Sequence, residues 1–297
     1  TITGRGTNIF LLIYVFSFFG FGVKAAVCPF NSWLPQAGVA PTPVTALLHA
    51  VAVVKSGAFA VMRLTYYCFG TELIRGTWVH FVVMSIAMLS ILYGSTMAVK
   101  ETHFKRRLAF STISNLSYIL LGVTMMSPQG LLAGMAHLVF HAFMKIGAFF
   151  CAGAVLHQSG KTYVDELNGL AKKMPFVFTT FVVFGLSLIG IPAFAGFISK
   201  WNIVASAMEL GNEYPFAYGA VAVLLYSALM TAVYVLTVAV RAWFPDQGSV
   251  GESKEEITDP NWEMKLPLGI FTAAVLIWGL GSEPLMQILR AVAHGVF

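Results

Sequence analysis

The 297-residue sequence is 58% hydrophobic and only 10% charged, with a mean hydropathy of +0.78. Soluble domains are about 45–50% apolar and about 25% charged, so the composition excludes a water-soluble enzyme and describes an all-α, polytopic membrane helix bundle. The net charge of +5 does not indicate nucleic acid: there is no basic face with interleaved aromatics, and the Lys/Arg clusters lie between apolar spans, where they set topology.

Apolar windows of about 20 residues predict eight helices, at roughly 8–27, 42–68, 77–99, 108–126, 130–157, 176–207, 215–244 and 266–289. Lys100, Lys105, Arg106 and Arg107 precede the fourth of these, and Lys161, Lys172 and Lys173 follow the fifth. By the positive-inside rule, loops 100–107 and 158–175 are cytoplasmic, and both ends of the chain lie outside. The protein is expected in the prokaryotic cytoplasmic membrane. Because the first residue is Thr1 and a span follows almost at once, residues 1–297 are expected to be one transmembrane domain of a longer chain.

The first helix ends in Gly20-Phe-Gly22-Val-Lys24-Ala-Ala-Val-Cys-Pro29, and Pro35, Gly38, Pro41 and Pro43 then forbid regular helix until about Thr42. Irregular backbone in a bilayer survives where protein buries it or water reaches it, so Lys24 stands where transporters place ion sites. Trp33 equally fits a simple interfacial turn. The second helix carries His49 and Lys55, six residues apart and so on opposed faces. Lys55 lies too deep in its span to be a terminal anchor, about two turns from Arg63.

The fifth helix contains Gly134-Met-Ala-His137-Leu-Val-Phe-His141-Ala-Phe-Met-Lys145. The four-residue spacing stacks His137, His141 and Lys145 on one stripe, with Leu138, Val139, Phe140, Phe143 and Met144 on the other sides. Ionisable groups at membrane depth are costly and mark routes for ions or protons. The plainer alternative is hydrogen-bonded packing for the histidines and a snorkelling Lys145. The sixth helix repeats the interrupted pattern of the first in Gly185-Leu-Ser-Leu-Ile-Gly190-Ile-Pro192-Ala-Phe-Ala-Gly196-Phe-Ile-Ser-Lys200, and two interrupted segments point to inverted repeated halves.

Every Asp and Glu from Glu72 to Glu283 falls in a loop or at a helix margin, which leaves Lys24, Lys55, Lys145 and Lys200 without an acidic partner in this chain. Cys28, Cys68 and Cys151 are scattered and read as packing residues. The stretch Asp246 to Glu263 reads as a solvated, mostly acidic connection. Nothing matches a Walker loop, a dinucleotide turn, a Ser/His/Asp arrangement or a zinc site, so no cofactor, metal or redox centre is expected.

Lys24-Ala-Ala-Val-Cys-Pro-Phe-Asn-Ser-Trp33-Leu-Pro, Ala40-Pro-Thr-Pro-Val-Thr-Ala-Leu-Leu-His49-Ala, Arg107-Leu-Ala-Phe-Ser111-Thr-Ile-Ser, His137-x3-His141-x3-Lys145 and Pro192-Ala-Phe-Ala-Gly-Phe-Ile-Ser-Lys200 occur in this order along the chain. Together they resemble the antiporter-like membrane subunits: the large proton-pumping subunits of respiratory complex I, related subunits of membrane-bound hydrogenases, and large subunits of multisubunit sodium/proton antiporters. The resemblance implies a fourteen-helix core of two inverted five-helix repeats, of which this chain would hold helices seven to fourteen. It implies a proton path of Lys24 (helix seven), Lys55 (helix eight), His137, His141 and Lys145 (helix eleven) and Lys200 (helix twelve), with His49 nearby. The family also uses a helix-five glutamate that pairs with the helix-seven lysine, and this chain departs there. The expected function is a proton-translocating subunit of a complex I-type pump, partnered by other membrane subunits and lipid and carrying protons, or sodium in the antiporter alternative. A non-transporting structural subunit is the alternative of another class.

Overall fold

The computed structural model describes residues 4–245 and 257–297. Most of the acidic connection expected between Asp246 and Glu263 lies outside the described residues. Among them the chain is helical and contains no strand, with one isolated bridge pairing His103 and Tyr163. The principal helices are α1 (Gly4–Lys24), α2 (Thr42–Ala50), α3 (Val53–Arg63), α4 (Trp78–Lys100), α5 (Phe104–Thr124), α6 (Pro128–Ser159), α7 (Pro175–Ile189), α8 (Ala195–Glu213), α9 (Tyr218–Trp243), α10 (Trp262–Leu280) and α11 (Glu283–His294).

Six helices among the described residues are long and apolar enough to cross a membrane, against the eight spans expected. The two differences have separate causes. The segment predicted at 176–207 is cut into α7 and α8, leaving α7 a shorter apolar helix. Helix α5 is long enough but carries Ser111, Thr112, Ser114, Asn115 and Ser117, and tertiary packing hides this polarity: every residue from Arg107 to Thr124 is buried. Two further predicted helices are interrupted. Residues 42–68 divide at Val51, whose φ of −128° and ψ of −57° are non-helical. Residues 266–289 divide at Gly281 into α10 and the amphipathic α11.

Helix α6 is the axle. It runs 32 residues and packs against α2, α5, α7, α8, α10 and α11. Its start is set by Pro128 and by the Ser127 hydroxyl, which accepts from the Gly130 amide at 3.1 Å, and it ends on Gly160 at φ 67°. Lipid tails are as apolar as leucine, so close packing rather than the hydrophobic effect holds such helices together. Small residues allow that approach. A Cβ at Gly94 of α4 would stand 2.7 Å from the Ser114 amide nitrogen of α5, and one at Gly57 of α3 would stand 2.7 Å from the Ala25 amide nitrogen, just past α1.

Both expected interruptions are present. After Lys24 the chain turns through Ala26 at φ 56°, a one-turn helix at Trp33–Gln36 and a short 3-10 turn before α2. Trp33 Nε1 donates to the Val23 carbonyl at 2.9 Å, and the Cys28 amide to Ser90 Oγ at 2.9 Å, tying this irregular segment to α1 and α4. Between α7 and α8, Gly190 (φ 94°) and Ala193 (φ 75°) flank Pro192, which has no amide hydrogen to continue the ladder.

Candidate functional site

His137, His141 and Lys145 of α6 have no exposed surface. His137 Nδ1 lies 2.8 Å from Ser199 Oγ of α8, and Nε2 lies 3.3 Å from Asn115 Oδ1 of α5. Asn115 donates its own amide to the Ser111 carbonyl at 2.7 Å, so its oxygen faces the imidazole and His137 donates from Nε2. The His141 ring stacks on that of His137, with centroids 5.8 Å apart and an interplanar angle of 24°. Among the described residues neither His141 nitrogen has a partner. Lys145 donates to the Ser111 hydroxyl. The stripe on α6 therefore faces a complementary row on α5, Ser111, Asn115 and Tyr118, spaced to share one helical face.

Two lysines from other helices join the row. Lys55 of α3, 5% exposed, donates to the Leu138 carbonyl of α6. Lys200 of α8 reaches back across the break and donates to the Leu188 carbonyl at 2.5 Å and the Ile189 carbonyl at 3.2 Å. These are among the last carbonyls of α7, which have no amide of their own helix to bind and carry the negative end of its dipole. The Lys200 ammonium also lies 4.9 Å from the centroid of the Tyr118 ring, which in turn meets the His137 ring edge-on at 5.3 Å. Tyr118 thus touches both groups, while its hydroxyl donates to Ser227 of α9.

His49 is fully buried with its ring 5.0 Å from that of Phe149 and, among the described residues, no hydrogen-bond partner on either nitrogen. It and Lys55 meet different partners, as their spacing suggested, but on separate helices rather than on opposite faces of one. The structure gathers Lys55, His137, His141, Lys145, Lys200 and His49 into one buried core. Lys24 is different. It is the last residue of α1 and is exposed, although the expectation grouped it with the buried lysines. Its carbonyl carbon and Cβ pack on Gly57 of α3, and no hydrogen bond or ion pair to the row is seen for its ammonium among the described residues.

The ion pairs among the described residues are Arg75–Glu213, Arg106–Glu101, Arg241–Asp165 and Arg290–Glu283, and none includes a lysine of the row. Within the described structure the buried ammonium groups meet carbonyls, a hydroxyl and an aromatic face.

Several participants escaped the sequence reading. Asn115, Tyr118 and Ser199 give no signal as single residues, and the only trace was the density of hydroxyls and amides in an otherwise apolar helix. Arg107, expected in the loop 100–107, lies inside α5 and is 6% exposed. Its guanidinium donates to the carbonyls of Glu101 at 2.8 Å, Tyr234 at 3.2 Å and Val99 at 3.5 Å, binding the end of α4 and the interior of α9 to α5. Among the cysteines Cys151 is buried, with Sγ 3.4 Å from the Thr180 hydroxyl, whereas Cys68 is exposed and is no packing residue here.

A family model described as NADH:quinone oxidoreductase/Mrp antiporter, TM matches residues 2–240. Among curated relatives, NADH-quinone oxidoreductase subunit N of Desulforudis audaxviator is 35% identical over 278 residues, covering 92% of this chain and 54% of that protein. F(420)H(2) dehydrogenase subunit N of Methanosarcina mazei is 30% identical over 301 residues, covering 98% of this chain and 58% of that one. Among solved structures, a chain of the Mrp complex from Dietzia sp. DQ12-45-1b matches with a TM-score of 0.81 at 26% identity, over 98% of this chain and 59% of that chain. The chain spans little more than half the length of these relatives.

Proposed function

The chain belongs to the NADH:quinone oxidoreductase/Mrp antiporter transmembrane family, and from that premise we propose that this integral membrane protein is a proton-translocating subunit of a redox-driven pump of complex I type. One observation carries the reading: three buried lysines, Lys55, Lys145 and Lys200, donate to neutral acceptors, and His137 and His141 stand among them. A carboxylate partner would lock an ammonium in its charged state, whereas a carbonyl or hydroxyl leaves a neutral amine accessible. Protons then pass along the lysines and histidines, with water bridging gaps beyond hydrogen-bond reach. The chain supplies no redox chemistry; it moves the ion.

In this reading the described helices correspond to helices seven to fourteen of the family core. Lys24 works with a carboxylate brought by another membrane segment, which its exposure leaves room for. Other membrane subunits are the partners, and loops 100–107 and 158–175 face the cytoplasm. A subunit of a multisubunit sodium/proton antiporter is the second reading, favoured by the likeness to the Mrp chain.

The test is proton movement by the intact complex in sealed proteoliposomes, with and without sodium, started either by reductant or by an imposed ion gradient. Proton translocation driven by reductant in sodium-free buffer is expected. Proton movement only against a sodium gradient would replace the pump by the antiporter.

A further inference from the structure

Ser199 sits at a junction that the proton path alone does not explain. Its Oγ is 2.8 Å from His137 Nδ1 and 3.3 Å from the Gly196 carbonyl in the first turn of α8. A serine hydroxyl has one proton, so it can donate to only one of these acceptors at a time. Asn115 fixes the other side of the ring, because its oxygen requires a proton on Nε2. A neutral His137 therefore offers a lone pair at Nδ1, and Ser199 must donate to it. A charged His137 carries hydrogens on both nitrogens. Nδ1 then donates to Ser199 Oγ, and the hydroxyl proton turns to Gly196.

We propose that Ser199 is a positioning residue for the His137 proton: its hydroxyl rotates between the ring and the Gly196 carbonyl, giving the imidazole a partner in both protonation states and tying its charge to the broken end of α8. The inference rests on the proton-path reading above. Gly196 also donates its amide to Ser187 Oγ of α7 at 3.1 Å, so the carbonyl that receives the rotated hydroxyl belongs to the residue that clasps α7 to α8. Lys200, the next residue after Ser199, forms the second clasp. The charge on His137 is thereby read at the break that Lys200 spans.

The groups facing His137 are Lys200 on α8, Lys55 on α3, Tyr118 on α5 and His141 on its own helix. None of them carries negative charge at neutral pH, so the charged imidazole depends on its two acceptors, Asn115 Oδ1 and Ser199 Oγ. Removing the hydroxyl leaves a charged donor unpaired in one state and only a lone pair unpaired in the other, and the first costs more.

The experiment is the pH–rate profile of proton translocation by the intact reconstituted complex, carried out with Ser199→Ala, Ser199→Thr and His137→Gln. Ser199→Ala is expected to displace the acid-side midpoint by about one unit toward acid, a roughly tenfold change in proton occupancy at fixed pH. Ser199→Thr keeps the hydroxyl and is expected to restore the parent profile. If Ser199→Ala does not assemble, Ser199→Cys, a weak donor of similar size, is expected to give a displacement in the same direction. A profile unmoved by loss of the hydroxyl, or moved equally by Thr, overturns the inference. His137→Gln separates the two levels: a slowed His137→Gln beside an unmoved Ser199→Ala defeats this inference alone, whereas an unaffected His137→Gln defeats the proton path and this inference with it.

Discussion

Lys55 of α3 donates its ammonium to the main-chain carbonyl of Leu138 on α6, the residue that follows His137. The bond attaches the Lys55 ammonium to the helix that carries the stripe. Proton transfer there requires the amine to lose and regain a hydrogen, which a guanidinium does not do in proteins. Lys55→Met and Lys55→Arg are therefore both expected to abolish proton translocation while the complex assembles. Parent-like pumping by Lys55→Arg in proteoliposomes would remove Lys55 from the carrier role.

His137 and His141 stack at 5.8 Å with different surroundings: among the described residues one is hydrogen-bonded on both nitrogens and the other on neither. Each single replacement by Gln is expected to slow translocation without stopping it, because water can bridge one gap in a chain of donors and acceptors. The double replacement is expected to be slower than either. An unchanged rate in the double variant at saturating reductant would make the stripe a packing feature.

Arg107 tests the scaffold rather than the path. Its three carbonyl partners join α4, α5 and α9 at one end of the bundle. Arg107→Ala removes the donor that these three carbonyls share and is expected to cost at least about 2 kcal/mol of stability, read as a lower midpoint for thermal unfolding in detergent. Arg107→Lys, with a single ammonium, should recover part of the loss. A parent-like midpoint for Arg107→Ala would show that the carbonyls find other donors.

Much of this arrangement was legible in the sequence because it rests on local chemistry. The i, i+4 spacing of His137, His141 and Lys145 fixes one stripe in any α-helix, and Pro192 with Gly190 forbids an unbroken helix whatever surrounds it. Other features depend on what lies across the interface. Ser111 and Asn115 are ordinary polar residues until α6 brings His137 and Lys145 against them. Arg107 resembled a loop cation because its carbonyl partners come from two other helices. Lys24 and Lys200 share one signature, a lysine beside a break, yet Lys200 folds back onto the open carbonyls of α7 whereas Lys24 is exposed.

Lys145 ends the stripe, and among the described residues its ammonium donates to the Ser111 hydroxyl. The decisive measurement is the initial rate of proton translocation by the intact reconstituted complex carrying Lys145→Met, with reductant turnover recorded in the same vesicles. A methionine fills the space without a titratable group, and proton movement is expected to fall at least about tenfold relative to the parent, equivalent to about 1.4 kcal/mol or more on the barrier. Proton translocation at the parent rate in an assembled Lys145→Met complex would contradict the proposed path.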